Sequence, residues 1–171
     1  TMITINKVTD FVPGVLKLFA IPIYNIQSIV NDVIAIKDEN AYYKIVFAND
    51  SLQAAYIPQK SENGDYYQID ISGFIPGESV QNTKVLNIIR KYRFVVIYQE
   101  SDGTFRWAGN KSTGLLLNLT YSSGNADNPA KGYNLVFEGS LLNHPKPSQP
   151  YVLLNGQQIG FAPNDNSSST E

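Results

Sequence analysis

The sequence predicts a mainly β protein, an antiparallel β-sandwich or barrel with one flanking α-helix at about residues 79–91. Short segments rich in β-branched and aromatic residues recur along the chain, separated by Gly, Pro, Asn and Asp turn signals. A helical spacing of apolar residues occurs once, and strands do not alternate with helices, which argues against a doubly wound α/β fold. The chain has 171 residues, is 43% hydrophobic and carries a net charge of −2, as expected for a folded domain.

The first half of the chain contains five predicted strands: Gly14–Tyr24, Asn31–Lys37, Tyr42–Phe47, Leu52–Ile57 and Asp65–Ile71. Within the second of these, Ile34 and Ile36 share one face by the alternation of a strand. Pro58 is expected to end the fourth strand, because proline cannot donate to a ladder of hydrogen bonds. Asn63-Gly64 then predicts a type I′ hairpin turn, in which both central residues have positive φ.

The predicted helix begins after Ser79, a residue suited to an N-cap. Its apolar residues recur at helical spacing, at Val80, Val85, Leu86, Ile88, Ile89 and Tyr92. The solvent face is predicted to carry Lys84, Asn87, Arg90 and Lys91. The segment therefore reads as an amphipathic helix packed against a sheet.

The second half contains four further predicted strands: Arg93–Gln99, Thr104–Ala108, Leu115–Tyr121 and Tyr133–Glu138. Ser101-Asp102-Gly103 predicts a hairpin turn between the first two. Leu115, Leu117 and Leu119 alternate with Leu116, Asn118 and Thr120, which predicts one buried and one open face.

The composition of the C-terminal part changes at residues 143–150, which are rich in proline. Tyr151–Leu154 and Gln157–Phe161, joined by Asn155-Gly156, predict either a last short hairpin or an extended arm. We expect a single β-rich domain over residues 1–162, with 140–162 as that arm or terminal hairpin. Residues 163–171 are polar and predict a disordered tail.

Composition excludes several classes of protein. There is no cysteine and a single histidine, so thiolate chemistry and multi-histidine metal sites are excluded. Three arginines and a slightly negative charge argue against sequence-specific nucleic-acid binding. The longest apolar stretch, Val12–Ile23, is interrupted by two prolines and a lysine, so neither a membrane span nor a signal peptide is expected.

No catalytic constellation emerges from the sequence. His144 is interpreted as a surface or interface histidine, because neither Ser140 nor Asp165 lies in a nucleophile-elbow pattern. Three carboxylate pairs are interpreted as turn or opposite-face residues: Asp65 with Asp70, Asp38 with Glu39, and Glu100 with Asp102. Three loops are interpreted as ordinary polar loops without calcium or phosphate: Asn125–Asn128, Asn164–Asn166 and Gly109–Gly114. We therefore expect no catalytic, cofactor-binding or metal-binding residues, no cofactor and no enzymatic activity.

Tyrosine is abundant, with eleven residues against a single Trp. The adjacent pairs Tyr42-Tyr43 and Tyr66-Tyr67 place one ring on each face of a strand. Both faces of a sheet are then covered, one by the core and the other by the helix, a second subunit or a sugar. The alternative is that tyrosine serves here simply as a good strand residue.

The order of motifs resembles that of small β-rich structural proteins, of the tail-tube type, from tailed phages and prophages of gut anaerobes. The resemblance covers about residues 12–152, and its motifs are Val12–Tyr24, Arg93–Tyr98, Ser101–Gly109, Gly114–Gly124, Gly132–Gly139 and His144-Pro145. It implies packed β-sheets with one flanking helix, assembled into rings that stack into a tube. It also implies that the Asp38–Pro58 loop and the tail after Leu141 act as assembly arms.

The leading hypothesis is thus a virion structural subunit that self-associates through β edges and arms, with other tail proteins as further partners. It would reside in the virion, or in the host cytoplasm during assembly. The alternative is a carbohydrate- or protein-binding β-sandwich module, which predicts a row of exposed tyrosines, or Trp107, on one face. An enzyme is the third hypothesis.

Overall fold

A computed structural model of the chain describes residues 3–5, 17–48, 51–100, 105–127, 129–148 and 150–159. These residues form two β-sheets and one α-helix. The predicted fold class, a β-sandwich with one flanking helix, is confirmed. Two predicted segments lie outside the described residues: the 163–171 tail, with Asp165 and the Asn164–Asn166 loop, and the turn at residues 101–103, with Asp102.

The described residues form thirteen strands and one helix. The strands are β1 (Ile3–Ile5), β2 (Lys17–Pro22), β3 (Ile26–Val30), β4 (Val33–Ile36), β5 (Tyr43–Val46), β6 (Gln53–Ser61), β7 (Gly64–Pro76), β8 (Arg93–Gln99), β9 (Phe105–Ala108), β10 (Leu115–Ser122), β11 (Gly132–Leu141), β12 (Tyr151–Leu154) and β13 (Gln157–Ile159). The helix α1 spans Val80–Ile89.

The larger sheet has the order β1-β5-β2-β8-β10-β11-β7-β6. Strand β9 also pairs with β8, along residues 96–99, whereas β10 pairs with residues 93 and 94. The smaller sheet has the order β13-β12-β4-β3. All pairings are antiparallel except β1 with β5 and β12 with β4, which are parallel. In both exceptions the two strands are far apart in the chain, and a parallel pair requires such a long connection.

Two apolar cores lie on the two sides of the larger sheet. The first core is enclosed by this sheet and α1, and the sheet curls so that the backbone N–H of Ala48, after β5, donates to the carbonyl of Phe74 on β7 at 2.8 Å. The second core fills the space between the sheet's outer face and the smaller sheet. Tyr43 belongs to the first core and Tyr42 to the second, so the predicted coverage of both faces holds at this pair.

Helix α1 follows its predicted cap but is shorter than the prediction. The Ser79 side chain accepts a hydrogen bond from the backbone N–H of Asn82 at 3.0 Å. Leu86 and Ile89 pack into the first core. Val80 and Ile88, expected on the buried face, are 74% and 57% exposed. The helix therefore contacts the core through a narrower face than its apolar residues suggest.

Two boundaries of the smaller sheet differ from the prediction. Ile26–Val30 is a strand that the alternation did not indicate, because a bulge between Ile26 and Ser28 interrupts its register. Asn31 and Asp32, assigned to a strand from the sequence, form the turn between β3 and β4 with φ of 49° and 63°. Two consecutive residues with positive φ are what a tight hairpin turn requires.

The prediction around Pro58 was wrong. Strand β6 continues through Pro58 to Ser61. The segment Asp38–Pro58, expected to be a long loop, contains β5 and the first part of β6. Proline is tolerated because β6 lies at the edge of the sheet and pairs only with β7, so one side of its backbone needs no donor.

The hairpin turn between β6 and β7 is shifted by one residue from the predicted Asn63-Gly64. Ser61 pairs with Gly64, so Glu62 and Asn63 are the central residues. Asn63 does not have the positive φ of a type I′ turn, and Gly64 alone adopts one, at 116°. A glycine after the two central residues is typical of a turn that ends in a bulge. By contrast, Asn155-Gly156 forms the predicted turn, with φ of 51° and 78°.

We predict that Tyr42→Phe raises the free energy of unfolding by about 1 kcal/mol, because it removes a buried polar atom that has no partner. Tyr42 is fully buried, and its hydroxyl has no hydrogen-bond partner among the described residues. Tyr43→Phe is the matched control, since that hydroxyl shares a side-chain hydrogen bond with Tyr24 and its loss is expected to lower stability. Urea denaturation of both variants checks the opposite signs. Equal losses would contradict the assignment of Tyr42 as unpartnered.

Candidate assembly surface

Strand β6 presents the longest open edge among the described strands. The sheet ends are β1 and β13 with three residues each, β3 with five, and β6 with nine. The edge of β3 is guarded by its bulge and by Lys111, whose ammonium donates to the backbone carbonyl of Gln27 at 2.9 Å. Bulges and lysines are established protections against edge pairing. Among the edges of the described strands, that of β6 is therefore the longest without such protection.

The guard residues of β6 lie in its second half. Near the hairpin tip, Pro58 removes a backbone donor from the edge and Lys60 adds a charge to it. The first half, residues 53–57, has neither a charge nor a proline, and Tyr56 and Ile57 are 41% and 55% exposed. This half combines open backbone groups with exposed apolar side chains.

An aromatic cluster stands beside this half of β6. The His144 ring stacks on the ring of Tyr56 at 6.0 Å and meets the edge of Tyr67 at 5.7 Å. The structure thus places the exposed His144 against the open edge. The Ser140 hydroxyl is instead hydrogen-bonded to Gln68 at 3.0 Å, so the structure does not show it paired with the histidine.

Tyr98 is a buried residue of the first core and lies near Tyr56. It is 1% exposed, and its hydroxyl has no hydrogen-bond partner in the described part of the chain. The neighbouring Glu100 and Arg106 form an ion pair at 2.9 Å. Burial raises the pKa of Tyr98 to about 12, and the charge of Glu100 adds to that shift while Arg106 opposes it. The phenol therefore stays neutral well above the ordinary range.

A cleft of about 180 Å³ lies between β9 and the segment that follows β11. Trp107, Asn110, Leu142, His144 and Lys146 contribute to its walls. Trp107 is only 8% exposed, so it does not present the open ring expected of a sugar-binding surface. The exposed tyrosines lie on separate elements, namely Tyr24 before β3, Tyr56 on β6, Tyr121 on β10 and Tyr151 on β12.

The other sequence candidates lie apart from this surface or form ordinary turns. In the Gly109–Gly114 loop, Asn110 Oδ1 accepts the backbone N–H groups of Ser112 and Thr113, at 2.8 and 2.7 Å. Asn125 Oδ1 accepts the N–H of Asp127 at 3.0 Å. These turns are internally hydrogen-bonded, as expected for polar loops.

The carboxylates form one pair that the sequence did not indicate. Asp70 lies directly opposite Glu138 across β7 and β11, whereas Asp65 lies at the hairpin tip. Within the described ranges, no three histidine or carboxylate side chains lie together in the manner of a metal site.

Comparison with protein-family models, with curated proteins and with solved structures found no match to this chain. In the part of the chain that the structure describes, no helix is long and apolar enough to cross a membrane.

We predict that stability falls as the pH rises from about 10 to about 12, and that Tyr98→Phe reduces this fall. Unfolded tyrosine ionises near pH 10, whereas the folded protein holds Tyr98 protonated up to about 12. A pKa raised on folding stabilises the protein below the unfolded value, and this contribution is lost as the pH rises through the folded one. Urea denaturation of both proteins at several pH values tests the prediction. Identical pH dependence would contradict the assigned burial of Tyr98.

Proposed function

We propose that this chain is a non-enzymatic structural subunit of a phage tail or tail-like particle. It self-associates through the open half of β6 into rings or tubes and contacts other tail proteins there. The exposed, unguarded edge at residues 53–57 is the observation that carries the proposal. The resemblance of its motif order to tail-tube-type proteins supports it. The subunit would act in the virion and in the host cytoplasm during assembly.

The chemistry of the edge fits addition of a strand. A strand added along residues 53–57 gains main-chain hydrogen bonds, each worth a net 0.5–1.5 kcal/mol or so. Burial of Tyr56 and Ile57 adds hydrophobic stabilisation, roughly 25 cal/mol per Å² of apolar surface removed from water. Because Pro58 cannot donate, an added strand loses one hydrogen bond at that position.

The direction of the strands separates two modes of association. Going across the larger sheet from β5 to β6, the strand direction reverses six times, so β5 and β6 run in the same direction. Because β1 is parallel to β5, the two end strands β1 and β6 also run in the same direction. Two copies joined through β6 alone form a closed, two-fold dimer with an antiparallel junction. In a head-to-tail contact, β6 of one copy pairs with a different edge of the next copy. The last copy then still has a free β6, and this edge is paired only when the copies close into a ring. The proposal is the head-to-tail mode.

We predict that Ile57→Lys raises the concentration needed for assembly by about tenfold or more, since it buries a charge at the junction. Ile88→Lys on α1 is the matched control, because Ile57 and Ile88 are 55% and 57% exposed. Molar mass by light scattering over a concentration series, with negative-stain images of the most concentrated samples, measures the effect.

Rings or short tubes of the wild-type chain and of Ile88→Lys, with a folded but monomeric Ile57→Lys, are the expected result. Equal assembly of both variants would contradict the assignment of β6 to the contact between copies. A wild-type chain that stays monomeric at every concentration would contradict the proposed function itself.

A carbohydrate- or protein-binding module is the second candidate, favoured by the cluster of Tyr56, Tyr67 and His144 beside the cleft. Aromatic rings around a polar-rimmed cleft are a general feature of ligand sites. A glycan screen with Tyr56→Ala as the control tests it. Binding by the wild type and about tenfold weaker binding by Tyr56→Ala would favour the module, whereas no binding at millimolar glycan would exclude sugars.

A further inference from the structure

The outer side of α1 combines exposed aliphatic residues with positive charge. Val80, Lys84 and Ile88 follow one another at intervals of four residues and therefore lie along one side of the helix. Val80 and Ile88 are 74% and 57% exposed, and Lys84 between them is exposed as well. The opposite side holds the helix in place, because Leu86 and Ile89 pack into the first core. Most of the surface of the two outer aliphatic side chains is therefore open to solvent.

The positive charge of this helix has no carboxylate to balance it. Lys84, Arg90 and Lys91 are all exposed, and the chain has no carboxylate from residue 79 to residue 99. None of these three cations takes part in an ion pair with another described residue. The helix dipole favours cations in the last turn, which accounts for Arg90 and Lys91 but not for Lys84. The face is thus complementary to an anionic surface.

The carboxylate nearest to the start of the helix is already engaged elsewhere. Glu78 forms an ion pair with Lys131 at 3.4 Å and accepts a hydrogen bond from the Tyr121 hydroxyl at 3.0 Å. It therefore does not offset the charge of the three helix cations.

The exposed aliphatic residues distinguish between kinds of anionic partner. The backbone of nucleic acid presents phosphates, which attract cations but offer no apolar contact to Val80 and Ile88. An anionic bilayer offers both, because charged headgroups lie above a hydrocarbon layer. Lys84, between the two aliphatic residues, extends its ammonium to the headgroups while its methylene stem lies along apolar surface. The combination favours lipid.

We propose that the outer side of α1 docks the protein on the surface of an anionic lipid bilayer. The helix lies along the surface, with Val80 and Ile88 between the headgroups and with Lys84, Arg90 and Lys91 beside the lipid phosphates. Its other side remains in the first core, so the helix does not insert. Weak apolar contact together with basic residues gives reversible binding. This inference goes beyond the proposed function and uses α1 rather than the β6 edge.

Sedimentation with lipid vesicles tests the electrostatic part. The whole chain is expected to bind vesicles that contain about a third of phosphatidylglycerol and not vesicles of phosphatidylcholine alone. Replacing two cations, by Lys84→Gln together with Lys91→Gln, is expected to weaken binding about 25-fold, since each cation near such a surface contributes about fivefold. Lys17→Gln with Lys60→Gln is the matched control, because both lysines are exposed and the change in net charge is the same.

A valine pair tests the apolar part. Val80→Ser is expected to weaken binding about fourfold or more, since each CH₂-sized group lost from apolar contact costs about fourfold. Val30→Ser on β3 is the matched control, because Val30 is 61% exposed and lies on the smaller sheet.

Binding to the anionic vesicles that is weakened by both helix variants and kept by both controls supports the proposal. Absence of binding to anionic vesicles by the wild-type chain would overturn it, as would equal losses in the helix variants and their controls. Loss with the lysine variant alone, combined with equal or tighter binding to random-sequence duplex DNA, would assign the face to nucleic acid instead of lipid. Light scattering without lipid measures assembly separately, so either proposal fails without the other.

Discussion

The strand pair β2–β8 is buried on both faces, and the rest of the fold depends on this constraint. Leu18 and Ala20 of β2 face the first core, while Phe19 and Ile21 face the second. In β8, the alternate residues Val95 and Ile97 likewise belong to the second core. Full burial of one such side chain stabilises the protein by about 1.5–3 kcal/mol, so neither side can be left open to water. A layer is required on each side, which the curled sheet with α1 and the smaller sheet provide.

The sequence was informative wherever a pattern within one segment decides the outcome. The apolar run at Arg93–Gln99 predicted β8, and the alternation at Leu115–Tyr121 predicted which residues of β10 share a face. Asn155-Gly156 predicted its turn because both residues tolerate positive φ. These features depend on sterics and side-chain alternation, which are local properties.

The remaining features depend on which strands become neighbours, and local pattern carries little information about that. Pro58 would end a central strand but is tolerated in β6, because β6 has a neighbour on one side only. The resemblance named the Asp38–Pro58 segment as an assembly arm, but the sequence did not indicate that residues 53–57 form an open edge, for the same reason. Tyr56 and Ile57 resemble ordinary strand residues until the sheet order places them at an edge beside His144. The opposition of Asp70 and Glu138 similarly follows only from the register.

Sheet edges connect this architecture to its proposed role, since an open edge must be guarded or used. Hydrogen–deuterium exchange, comparing dilute and concentrated protein, tests that use most directly. The account predicts slower exchange at the backbone amides of residues 53–57 in the concentrated sample, with unchanged exchange across β10 and β11. Assembled particles in which the β6 amides exchange as fast as in the dilute monomer would contradict it.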